Sequence, residues 1–233
     1  MLPSITNRLT LVSHYLGFSV AVLIAHHVKP PPIALLCITG ISTYQHPFFN
    51  SSTLITPEPF RKEQLQKYLD ESVSVGVQPE SDGMVFSPGM ITSTGAKKPD
   101  YVRPKPSPED SPEGELSRGC LYDYFLYKNE FPSLVGSVDP GFECARQDSD
   151  SEKLSTWPKT VFIQGDADTD VDMDVTVHAA ECLGSEKAEL CIAKGQPHLF
   201  EATQFIEDQG DAMDVVRSAV HELDLVVAET SAS

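Results

Sequence analysis

The sequence is poor in positive charge. Seventeen Lys and Arg stand against 34 Asp and Glu in 233 residues, a formal net charge of −17. Phosphate backbones are held by clustered Lys and Arg, and anionic membrane surfaces attract basic segments. Neither nucleic acid nor a membrane is therefore an expected partner. No C-x-x-C pair occurs among the five cysteines, at 37, 120, 144, 182 and 191. That spacing lacks the pattern of cysteine zinc sites. Scattered thiols suit a reducing compartment, where they act as small buried hydrophobes, so the expectation is a cytoplasmic protein. No apolar run reaches the about 20 residues that a membrane span needs. The main apolar run, Leu16 to Ala25, follows a single Arg8 and meets Lys29-Pro30-Pro31-Pro32 with no small-x-small cleavage site. It reads as a buried helix rather than a signal-peptide core. Internal repeats are also lacking.

What is present suits a globular α/β chain. Hydrophobic residues make up 40% and charged residues 22%, near the averages of folded domains. Arg8 to Val12 reads as a short buried strand, Gly17 to Val28 as a helix buried on most sides, and Ile33 to Ile38 as a second buried strand. Strands without polar alternation, joined through a helix, predict a parallel sheet covered on both faces. From residue 57 to 156 Pro, Ser, Glu and Asp accumulate. An inserted, partly flexible cap is expected there, with a charged helix over 58–71 and an aromatic helix over 121–127. Order of the α/β kind then returns: a strand at Thr160 to Gln164, a helix at Val171 to Leu183, a strand at Lys187 to Ala193, and an amphipathic helix at Ala212 to Val227. The core is expected from residues 1–56 and 157–233.

Two strand ends carry the strongest chemical signal. Gly165-Asp166-Ala167-Asp168 closes one strand, and Gly195-Gln196-Pro197-His198 follows the next, with thirty residues between Asp168 and His198. Side chains just past the carboxyl ends of parallel strands meet where ligands bind in open α/β sheets. A carboxylate there fixes the tautomer of an imidazole and stabilises its protonated form. A lone strand-end Asp more often caps the next helix; the pairing with His198 is what favours an acid–base role. The alternating Asp166, Asp168, Asp170, Asp172 and Asp174 invite a calcium reading. Val171 and Val177 stand where an EF-hand loop needs Gly and Glu, so no metal is expected. His26, His27 and His46 have no third ligand at useful spacing and read as helix-end and turn residues. No cofactor is expected.

Residues 157–171 (WPKTVFIQGDADTDV) followed by residues 195–201 (GQPHLFE) resemble the acid and histidine segments of α/β-hydrolases of the esterase and lipase type. In that family the strand ends in H-G-x-x-D and the histidine lies in a G-x-x-H-x-F turn. By position Asp168 corresponds to the acid and His198 to the base, while Gln164 stands where the family commonly has His. Residues 25–36 and 46–50 are similar to the stretch after the nucleophile in fungal-type members, and Tyr122 to Tyr127 resembles their cap. The likeness extends over most of residues 9–227. It implies an incomplete α/β-hydrolase fold, truncated at its N-terminus, with a mostly parallel sheet and an inserted cap. It further implies hydrolysis of an ester or other small apolar acyl substrate, in fungal secondary-metabolite biosynthesis.

The family's serine sits in G-x-S-x-G, on a sharp strand-to-helix turn. Two registers are open here. Aligning Leu9 to Val12 with the family's strand puts Tyr15 at the serine position and leaves Ser19 about one turn into the helix. The spacing to His26-His27 matches the family in this register. The other register, Gly17-Phe18-Ser19-Val20-Ala21, keeps Gly and Ser correctly spaced and needs the strand to run on through His14 and Tyr15. A phenol is a poor substitute for an alcohol activated by His. Asp168, His198 and Ser19 are therefore the candidate catalytic residues. A catalytically inactive remnant that binds a ligand or a partner chain is the alternative. The family's H-G-G-type oxyanion loop would lie ahead of residue 9, and one such donor is worth about 10²–10³ in rate.

Overall fold

The computed structural model describes residues 10–14, 16–50, 61–70, 120–142 and 151–232. They fall into two compact units, one comprising Met1–Ser51 with Phe131–Ser233, the other Ser52–Glu130. The first unit is built on four strands: β1 (Thr10–His14), β2 (Ala34–Ile38), β3 (Lys159–Gly165) and β4 (Ala188–Ala193). They lie side by side in chain order, and all three pairings are parallel. Helix α1 (Leu16–His27) links β1 to β2. The second unit contributes α2 (Lys62–Asp70) and α3 (Cys120–Tyr127). Short helices α4 (Phe131–Val135) and α5 (Ser151–Thr156) precede β3, α6 (Met173–Leu183) links β3 to β4, and α7 (Asp211–Ala232) follows β4. The expected α/β class with a parallel sheet is what the chain adopts.

The strands look continuously apolar because both sheet faces are covered. Successive side chains point to opposite faces, and the core divides accordingly. Leu35, Cys37 and Phe162 face one way, against Phe18, Ala21 and Val22 of α1 and Ala179, Cys182 and Leu183 of α6. Ala34, Leu36, Val161 and Ile163 face the other way, against Met213, Val216, Ala219 and Leu223 of α7. The α7 spacing of three, three and four residues is one helical stripe. Each fully buried Leu, Ile, Val or Phe contributes about 1.5–3 kcal/mol relative to exposure.

One helix departs from expectation. α1 buries a single stripe, Phe18, Ala21 and Val22, whereas Leu16 and Val20 are 42% and 55% exposed. Its low polarity all round suggested burial on most sides; α1 instead packs on one face of the sheet next to the edge strand β1, whose Val12 is 58% exposed. No described helix is long and apolar enough to cross a membrane.

In the second unit, α2 and α3 form where a charged and an aromatic helix were expected, with Leu65, Tyr124 and Leu126 buried. Most of the remaining 57–156 stretch lies outside the described residues. Residues 131–142 and 151–156 belong with the sheet unit. Asp139, 5% exposed, fastens the first of these segments to the loop after β2. Its carboxylate accepts the Thr43 hydroxyl at 2.9–3.0 Å, the Tyr44 N–H at 2.8 Å and the Gly141 N–H at 2.9 Å.

Candidate active site

The carboxyl ends of β3 and β4 set the site. The two strands pair with Gly165 opposite Ala193, so the loops that follow start level and can run side by side. Three hydrogen bonds join them. Asp166 N–H donates to the Ala193 carbonyl at 3.3 Å, Ala167 N–H donates to the Gln196 carbonyl at 3.1 Å, and Gly195 N–H donates to the Asp166 carboxylate. Gly195, at φ +68°, makes the left-handed turn out of β4, a conformation that suits glycine. Gly165 permits the close approach: a Cβ there would stand 2.2 Å from the Gln196 carbonyl oxygen.

Asp168 is thereby brought against His198. The imidazole donates Nδ1–H to Asp168 Oδ2 at 2.8 Å, with the His side chain 11% exposed and the Asp side chain fully buried. The other carboxylate oxygen, Oδ1, accepts the backbone N–H groups of Asp170 and Val171, both at 2.9 Å. Oδ2 also takes the Gln164 amide, Nε2 to Oδ2, at 2.8 Å. Four donors thus converge on one carboxylate. Leu199, next to His198, sits at φ +51°, an uncommon conformation for a residue other than glycine.

The electrostatics of His198 are a contest. Burial pulls its pKa down. The hydrogen bond and the charge of Asp168 outweigh it, with help from Asp170 and Glu201, so the value is raised above the ordinary 6.5. The imidazolium is thus a stabilised state of this site.

Ser19 lies elsewhere in local structure. β1 stops at His14 and α1 starts at Leu16, so Ser19 falls in the first turn of α1. Its hydroxyl donates to the Leu16 carbonyl at 2.7 Å. It lines a small cavity of about 20 Å³ with Val22, Leu23, Ser42, Tyr44, Val135 and Asp139. The structure joins Asp168 to His198 and turns the Ser19 hydroxyl back onto its own helix. Tyr15, the other residue considered for the serine position, lies outside the described residues.

The acidic run is used locally. Asp166 takes a backbone N–H from Gly195, Asp168 holds His198, and Asp172 caps α6 by accepting the Asp174 N–H at 2.9 Å. Sequence reasoning did not single out Thr176, whose hydroxyl donates to Gln164 Oε1 at 3.1 Å. The available signal was a polar residue between two valines, Val175 and Val177. The histidines also have definite places. His26 packs edge-on against Trp157, with centroids 4.7 Å apart, and burial lowers its pKa to about 3, aided by the charges of Lys153 and His27. His46 faces His178 at 5.3 Å between ring centroids.

No family model matches the chain, and no curated protein matches it. Solved structures do resemble it. An α/β hydrolase superfamily protein from Enterococcus faecalis aligns with 94% of this chain and 64% of its own at 11% identity and a TM-score of 0.49. A protein of unknown function from Staphylococcus aureus aligns over 95% of this chain and 66% of its own at 11% identity and a TM-score of 0.46. A carboxylesterase structure from Nitrososphaera gargenis aligns with 95% of this chain and 66% of its own at 14% identity and a TM-score of 0.40. The chain spans about two thirds of the length of these structures, and at such identities and TM-scores none of them assigns it an activity.

Proposed function

We propose that the chain carries the acid–base half of an ester-hydrolase site, acting on an ester or related acyl small molecule. His198 is the general base and later the general acid; Asp168 is its orienting carboxylate. With Nδ1–H held on Asp168, Nε2 is the nitrogen that takes the proton from an attacking hydroxyl and delivers it to the leaving alcohol. The observation that carries this reading is the 2.8 Å contact between Nδ1 and Oδ2 at the carboxyl ends of adjacent parallel strands. The narrower expectation of a fungal secondary-metabolite substrate rests on the sequence resemblance alone. Ser19 is the candidate nucleophile, and it must release the Leu16 carbonyl to attack.

That same Ser19–Leu16 bond favours a second reading, a catalytically inactive relative that binds a small apolar ligand or a partner chain. A fluorophosphonate probe separates the two. Under the hydrolase reading the folded chain is labelled, and labelling is lost in both Ser19→Ala and His198→Gln. A folded chain that takes up no probe belongs to the second reading.

A further inference from the structure

Gln164 stands beside the Asp168–His198 pair and bonds to it. It is the last side chain of β3 before Gly165 and is fully buried. A carboxamide is nearly symmetric in shape, so its orientation is decided by its partners. Here the partners are unambiguous. The Thr176 hydroxyl donates to Oε1 at 3.1 Å, and Nε2 donates to Asp168 Oδ2 at 2.8 Å and to the Val171 carbonyl at 3.0 Å. Turned over, the amide would set its oxygen against a carboxylate oxygen and a backbone carbonyl, with no solvent to screen them. The Asp168 oxygen that receives Gln164 is also the one that receives His198.

We propose that Gln164, oriented by Thr176, is a positioning residue that tunes the basicity of His198 by sharing the Asp168 oxygen with it. A second donor on Oδ2 draws off part of the charge that would otherwise stabilise the imidazolium. The donor also fixes the carboxylate plane, so that His198 meets it in one geometry. Thr176 acts one step further out, by satisfying Oε1 and so holding the amide where Nε2 reaches Oδ2. The inference rests on the reading of Asp168 and His198 as an acid–base pair.

The test is an NMR titration of the His198 ring in the full chain, which needs no substrate. Gln164→Met keeps the shape and removes the donor, and it should raise the His198 pKa by about half a unit or more. Thr176→Val leaves Oε1 without its donor and loosens the amide's hold on Oδ2, and should raise it by a smaller, measurable amount; Thr176→Ser restores the hydroxyl and should titrate as the wild type does. A structural role alone would lower melting temperatures without moving the titration. If Gln164→Met and Thr176→Val both titrate as the wild type while Asp168→Asn shifts His198 downward, the tuning role is overturned and the pair stands. If Asp168→Asn leaves the titration unmoved, the pair itself fails. Should Gln164→Met not fold, the Thr176 variants decide: Val shifted with Ser unshifted supports the role, and Val unshifted overturns it.

Discussion

The Gln196 carbonyl oxygen leaves Gly165 no room for a side chain, since a Cβ on Gly165 would stand 2.2 Å from it. The obstacle is backbone, which moves only with its whole loop, and that loop carries His198 two residues later. Gly165→Ala should therefore act in two ways. It should destabilise the fold by about 1–3 kcal/mol, as overpacking does. It should also lengthen the contact between His198 and Asp168, so that the ring's pKa falls back toward 6.5. Denaturant melts and an NMR titration of the same variant read the two effects.

The charge of Asp168 gives the site a definite pH dependence. The His198 pKa is raised in the folded chain, so the folded state binds a proton more tightly than the unfolded one. The resulting stabilisation is fully present below about 6.5 and is lost as pH rises through the higher folded value. A general base works only when neutral, so the proposed hydrolysis, if His198 is its base, should rise with pH through that same raised value. Asp168→Asn should lower the inflection and flatten this stability difference.

His26 should show the opposite linkage. Its folded pKa lies at about 3 against 6.5 for the free side chain, so below 6.5 the unfolded chain takes up a proton that the folded chain refuses. Stability should fall as pH drops from about 6.5 toward 3. Both ring nitrogens are buried without a protein hydrogen-bond partner among the described residues. His26→Phe keeps the edge-on packing against Trp157 and removes the unmet polar atoms. It should stabilise the chain by about 1–3 kcal/mol and reduce its sensitivity to acid, as thermal melts at pH 7 and pH 5 would show.

Asp139 is a structural acid. Replacing it by Ala strands the Thr43 hydroxyl and two backbone N–H groups in the interior. The expected loss is about 3 kcal/mol or more, since each unmet group costs about 1–3 kcal/mol. Asp139→Asn, which retains one acceptor oxygen, should lose less. The His198 titration should stay unchanged in both, because Asp139 makes no bond to the Asp168 pair.

Much of this was legible in the chain itself. Leu35-Leu36 and Phe162-Ile163 are neighbours that point to opposite faces, and such unbroken apolar runs signal a doubly covered parallel strand. Asp168 and His198 were legible because each follows a strand and a glycine, and parallel strands bring such positions level. Other features depend on partners far away in sequence. Thr43 and Asp139 are 96 residues apart, and nothing local to either announces their bond. Thr176 becomes meaningful only once α6 folds over Gln164. The exposure of Val20 followed from the position of α1 beside the edge strand, which its own composition does not encode.

The tautomer of His198, read from the ring nitrogen chemical shifts above its pKa, tests its pairing with Asp168 most directly. The expected result is the Nδ1–H form, with the Nδ1 proton in a strong hydrogen bond that is lost in Asp168→Asn. A ring protonated on Nε2, indifferent to Asp168, would contradict it.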